Sequence, residues 1–141
     1  MTAHYLVPTD GSEQATKALE YVLETFPGST VTVLSVVELQ GPSGESIAPG
    51  WFDDEAQSEA ERRAEETLEE ARELAAEYDV DLQTAIGVGS PARSIVDQAD
   101  ERNVDHVVMG SHGRSGAARL LLGSVAETVV RRAPVTVTVV R

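Results

Sequence analysis

The chain has 141 residues, which fits a single domain spanning 1–141 with enough apolar surface to build a core without staples. It contains no cysteine, which excludes disulfides and thiolate metal sites. Its formal net charge of -13, from 24 acidic and 11 basic residues of which only Lys17 is a lysine, argues against nucleic-acid or anionic-membrane partners, because phosphate-rich surfaces repel it.

No basic segment precedes the short apolar run in MTAHYLVPTDGS, and no apolar run is long enough to cross a bilayer. A soluble, cytoplasmic protein is expected. The acid-rich, lysine-poor balance suits high intracellular salt, where the Debye length shrinks to ~3 Å at 1 M and screens self-repulsion. An ordinary acidic protein is the alternative.

His4 to Pro8 is a short apolar run and reads as a buried strand. Thr9-Asp10-Gly11-Ser12 breaks it, and Ser12 is placed to cap a helix with Glu13 in its first turn. Ala15, Ala18, Leu19, Val22, Leu23 and Phe26 follow at helical spacing, and Pro27-Gly28 ends the run. Thr30 to Val37 is β-branched and continuous, a second buried strand. Leu39 to Phe52 holds three glycines and two prolines and reads as a long loop that Trp51 and Phe52 anchor. Asp53 to Tyr78 has apolar residues three or four apart and reads as a long helix. Between Asp53 and Asp81 stand 13 acids and three arginines, a net of -10, which reads as a solvated outer face, with a partner-binding stripe as the alternative.

Val80 to Val88 is a third strand, less apolar and so nearer an edge. Ser90-Pro91 starts a helix that ends near Asn103. Val104 to Met109 is a fourth strand, a helix runs from about Ser124 to Arg132, and Val135 to Val140 is a fifth strand. Strands alternating with helices imply an α/β fold, a doubly wound parallel sheet covered on both faces. Ligands on such sheets bind at the carboxyl ends of the strands, at the switch point. Pro8 to Ser12 and Gly110 to Ser124 hold that position, and they line one crevice if the first and fourth strands are neighbours.

The second of these segments, within MGSHGRSGAARLLLGSV, has glycines at 110, 113, 116 and 123. No glycine precedes a lysine, which rejects a Walker A loop, and Gly113-Arg114-Ser115-Gly116 lacks the first glycine of the dinucleotide fingerprint. Phosphate binding does not require either pattern. Glycines let backbone N–H groups approach an anion, and Gly123-Ser124 opens a helix whose N-terminus is partly positive. Arg114 and Arg119 reverse the local sign of an acidic chain. A set of tight turns is the alternative. His112, between two of these glycines, reads equally as a phosphate contact or a solvated loop residue. Asp10 reads as a general base, a magnesium ligand or the holder of the turn before Ser12. His4 and His106 have no acid spaced to share a zinc ion with them, and adjacent Asp105 and His106 point to opposite faces of a strand.

Gly110, Gly113, Gly123 and Ser124 form Gly-x-x-Gly, nine residues, then Gly-Ser, after a strand ending in Met109, and VPTDGS stands near the amino terminus. With these motifs the whole chain resembles the universal stress protein family, in its ATP-binding branch. The resemblance implies a five-stranded parallel sheet in the order 3-2-1-4-5 with four helices, the adenine nucleotide alpha hydrolase-like fold. It implies that Asp10 contacts the adenosine end, that Pro8 and Thr9 border the same pocket, and that Val36, or Val37 one slip away, holds adenine through its backbone. It places Met109 near the nucleoside and Gly110, Gly113, Gly123, Ser124 and Val125 around ribose and phosphates, and His112 and Arg114, read above from their position and charge, are counted with them as nucleotide-binding candidates. ATP, with a magnesium or manganese ion, is the implied ligand. The family also pairs through its last strand, and VTVTVV, a β-branched run on an open edge, suits a homodimer through Val135 to Val140. The implied role is regulatory, without efficient catalysis. The alternatives are a slow ATPase or nucleotidyl-transfer enzyme and a nucleotide-independent interaction protein.

Overall fold

A computed structural model describes residues 2–38, 54–111 and 122–141. Nine elements follow in order: β1 (His4–Thr9), α1 (Glu13–Thr25), β2 (Thr30–Val37), α2 (Asp54–Ala76), β3 (Gln83–Val88), α3 (Pro91–Glu101), β4 (His106–Gly110), α4 (Ser124–Arg132) and β5 (Thr136–Val140). The strands form one sheet, β3-β2-β1-β4-β5, with every pairing parallel. This is the doubly wound order expected from the alternation and the family resemblance.

Residue alternation assigns the two faces. Tyr5, Val7, Val31, Val33 and Val108 point toward α1 and α2, where they pack with Leu19, Val22, Leu68 and Ala75. Leu6, Leu34, Ala85, Val107 and Met109 point the other way, toward Ile95, Ala99, Ala126 and Val129 of α3 and α4. A parallel strand covered on both faces has no polar side to show, which is why β2 and β4 read as continuous apolar runs. On α2, Ala64, Leu68, Ala71 and Ala75 form the buried stripe, and the carboxylates lie on the remainder.

Two strands begin later than the sequence pattern predicts, for a shared reason. Asp79 and Asn103 adopt left-handed backbone, at φ 57° and 50°. Each lets the following valine turn back on the preceding helix. The Val80 N–H donates to the Ala75 carbonyl at 3.0 Å, and the Val104 N–H to Ala99 at 3.2 Å. These are helix-closing bonds, so Val80 and Val104 belong to helix caps and not to strands. β3 lies at one edge of the sheet, as its lower apolarity suggests, and β5 at the other. Ser90 occupies the N-cap of α3 ahead of Pro91, but its side chain makes no capping bond.

Candidate functional site at the β1–β4 switch

The strand order reverses between β1 and β4, so their carboxyl ends bound the crevice where open α/β sheets take ligands. The sequence builds the opening with one residue. β1 stays paired with β2 up to Thr9 opposite Ser35, yet its ladder with β4 is limited to Tyr5 with His106 and Leu6 with Val107. The Ala3 carbonyl accepts from Thr30 on the β2 side, and the His4 carbonyl accepts from Asp105 on the β4 side. Backbone groups alternate along a strand, so Leu6 and Pro8 face β4 as His4 does. Pro8 has no N–H to donate there, and beyond Leu6 the pairing stops.

The turn after β1 is held by its own side chains. Gly11 has φ 81°, a left-handed conformation that favours glycine. An Asp10 Oδ1 accepts the Ser12 N–H at 2.9 Å, and Thr9 Oγ1 accepts the Gly11 N–H at 3.1 Å. Buried Ser12 caps α1, its Oγ accepting from Ala15 at 3.2 Å. Of the roles open to Asp10 in the sequence, the structure therefore shows the turn-holding one, with the carboxylate exposed at the mouth.

Opposite this turn, β4 ends at Gly110, and a Cβ there would lie 2.9 Å from the backbone carbonyl of Gln14 in the first turn of α1. The absent side chain thus lets a helix and a strand end meet. Next comes Ser111, only 3% exposed. Its N–H donates to the Val140 carbonyl at 3.0 Å, and its carbonyl accepts the Gly123 N–H at 2.7 Å. That bond draws the two ends of the glycine-rich segment together. It also fixes the start of α4 beside the end of β4. Gly123 is the N-cap, with extended backbone and no side-chain cap. The first-turn N–H groups that follow, from Ser124 onward, have no acceptor within the helix and carry the positive end of its dipole.

Beside this helix end lies apolar surface. Val36, Leu122 and Val125 pack against the cluster that contains Met109. Val37 faces the other way and is buried with Ala64 of α2, which makes Val36 the member of that pair on the crevice side. The structure thus gathers Pro8, Asp10, Val36, Met109, Gly110, Gly123, Ser124 and Val125 around the carboxyl ends of β1 and β4. Thr9 belongs to the same turn, but its side chain lines a groove on the α1–α2 face. His112, Gly113, Arg114 and Arg119 lie outside the described residues, as do Trp51 and Phe52. Sequence reasoning missed Ser111, Gln14 and Leu122. A serine between glycine and histidine gives no sign of being buried, and Gln14 acts through its backbone.

His4 and His106 stand elsewhere, at the amino ends of their strands. His4 Nε2 is 2.7 Å from Thr32 Oγ1, and His106 Nε2 is 2.6 Å from Thr138 Oγ1. Burial holds both pKa values below the ordinary histidine value; at His4, Asp105 works against this and Arg102 with it.

Comparison with known proteins agrees with this architecture. The universal stress protein family model matches residues 1–141. The chain belongs to the universal stress protein family. Universal stress protein YxiE of Bacillus subtilis is 34% identical, with 96% of this chain and 97% of that protein covered. The solved structure of MJ0577 of Methanocaldococcus jannaschii superposes with a TM-score of 0.84 at 30% identity, covering 99% of this chain and 96% of that one. A universal stress protein solved in complex with cAMP superposes with a TM-score of 0.72 at 27% identity, covering 99% and 97%. Among the described residues no helix of this universal stress protein is long and apolar enough to cross a membrane.

Proposed function

We propose that this universal stress protein binds an adenine nucleotide, ATP, in the β1–β4 crevice and acts as a homodimeric regulator, without efficient catalysis. The observation that carries the reading is the Ser111–Gly123 bond, which sets a helix N-terminus beside the apolar surface of Val36 and Met109. That combination suits a ligand with a flat apolar base at one end and phosphates at the other. The relative solved with cAMP supports an adenine nucleotide as the class. Gly113, His112 and Arg114 are the further residues that this reading assigns to the phosphates. A magnesium or manganese ion would come with the nucleotide and take phosphate and water oxygens.

Isothermal titration with ATP in high salt tests the reading, with Ser124→Asp as the informative variant. Ser124 is exposed in the first turn of α4, where an aspartate favours the helix dipole and repels phosphate. The expected result is an unchanged or raised Tm with ATP affinity lowered at least tenfold. Equal affinity in the two proteins, or no heat from the folded parent at millimolar ATP, would sink the proposal.

The dimer would form through β5. The Val140 carbonyl accepts from Ser111 on the β4 side, so Val137 and Val139 present their N–H and C=O groups to the open edge. A second copy of the same strand would satisfy these groups with two-fold symmetry.

A further inference from the structure

β3 and β5 are the two edges of the sheet, and they differ in how they are guarded. Edge strands are commonly blunted by charged side chains or proline. At β3 the Arg72 guanidinium of α2 donates to Thr84 Oγ1 at 2.8 Å. Thr136–Val140 carries neither a charge nor a proline, so β5 offers a plain strand edge to a second copy of itself.

A two-fold axis normal to the sheet runs the two copies antiparallel and sets each face beside the same face of the other copy. Val137 and Val139 present the outward N–H and C=O groups, because the Val140 carbonyl is taken on the β4 side. With the axis at Thr138, Val137 stands opposite the second copy's Val139, and each such pair exchanges both N–H···O bonds. An axis at Val137 or Val139 leaves one of these residues opposite a position outside β5.

The axis at Thr138 also makes Thr138 its own partner. The two form a pair without mutual backbone bonds, where Cα atoms stand ~4.5 Å apart and side chains come closest. This hydroxyl is already engaged, with His106 Nε2 2.6 Å from Thr138 Oγ1. The imidazole is backed by the Tyr5 ring, their centroids 5.3 Å apart. A hydroxyl both donates and accepts, so the two Thr138 hydroxyls can bond each other while each keeps its histidine. One ring then donates at its end of the chain, and its symmetry mate accepts. Moving the axis to Val137 or Val139 sets Thr138 opposite Thr136 or Val140 and breaks the chain. The alternating TVTVV run has little else to prevent such a slip.

We propose, on the basis of the β5 dimer above, that Thr138 and His106 fix its register: two copies pair about Thr138, whose hydroxyls bond each other and hold both His106 rings.

The chain has no cysteine, so introduced cysteines report the register directly. Thr138→Cys should oxidise to a linked dimer at least tenfold faster than Val137→Cys or Val139→Cys, whose self-contacts would be diagonal at ~7 Å, beyond disulfide reach. With Thr138 in place, Thr136→Cys mixed with Val140→Cys should give the mixed disulfide, and neither should link to itself. Thr138→Val, which keeps shape and loses the hydroxyl, should raise the dimer dissociation constant about three- to tenfold. His106→Leu should do likewise, and His106→Gln, which still donates and accepts, should raise it less. A monomeric parent in light scattering, or a dimer that no cysteine links, would remove the β5 dimer and the proposal with it. A dimeric parent in which Val137→Cys or Val139→Cys links fastest, or Thr138→Val associates as tightly as the parent, would overturn the proposal and leave the β5 dimer standing.

Discussion

Gly110 carries two demands at once. It ends β4 at the mouth of the crevice, and its missing side chain makes room for the Gln14 carbonyl 2.9 Å from where a Cβ would sit. A backbone carbonyl cannot swing aside as a long side chain can. Gly110→Ala is therefore expected to cost about 1–3 kcal/mol of unfolding free energy without any nucleotide present, by forcing α1 off the strand end. Urea denaturation of the ligand-free variant measures this, and an unchanged midpoint would show that α1 gives way freely. The two inner histidines make a second residue-scale prediction. Their folded pKa values lie below the unfolded value near 6.5, so the unfolded chain binds more protons in the window just under 6.5. Their contribution is complete above that value and is lost as pH falls through the folded pKa values. The urea midpoint should drop from about pH 7.5 to about pH 5.5, and the double variant His4→Asn, His106→Asn should flatten that part of the profile.

At the scale of elements, β1 and β5 show how one backbone group decides a strand's partners. Pro8 removes a donor from the β4 side of β1, and there the two strands part. At β5 the outward groups of Val137 and Val139 remain available. Val137→Pro deletes one outward donor and leaves the ladder to β4 intact, because the inward-facing residues are Thr136, Thr138 and Val140. Light scattering of this variant should give a monomer mass with native-like circular dichroism, against a dimer for the parent. A dimer in both proteins would place the interface elsewhere. Strand existence was legible because parallel strands covered on both faces are runs of β-branched residues, as in Thr30–Val37, whereas strand order was expected only from the family resemblance. Strand starts were less so, since the left-handed turns at Asp79 and Asn103 fall on residues that the pattern does not mark.

For the whole molecule, charge is the governing quantity. Of the net -13, a net of -10 falls between Asp53 and Asp81, on α2 and its flanks, and the ion pairs of α2 are exposed helical neighbours such as Arg62 with Glu59 and Arg72 with Glu69. Exposed pairs of this kind contribute little, so repulsion among the unpaired carboxylates dominates that face. Raising potassium chloride from about 0.1 M to about 2 M should raise the Tm, because the screening length falls below the spacing of these carboxylates. A Tm that stays level or falls would remove the physical basis for reading the composition as salt adaptation.

The alternation of apolar periods and the punctuating Pro-Gly and Ser-Pro pairs were enough to determine the fold class and the helix faces, and to mark the turn after β1 as a candidate site. These are local properties, since a residue's period and its permitted backbone angles depend on its near neighbours. What only the tertiary structure decided is how distant segments meet. Ser111 bonds to Gly123 across twelve positions, and the end of β4 rests on Gln14 almost a hundred residues earlier. Val36 rather than Val37 joins Met109 because the pleat places alternate residues on opposite faces. Sequence names the groups, but which of their backbone atoms remain available for a ligand follows from packing across the sheet.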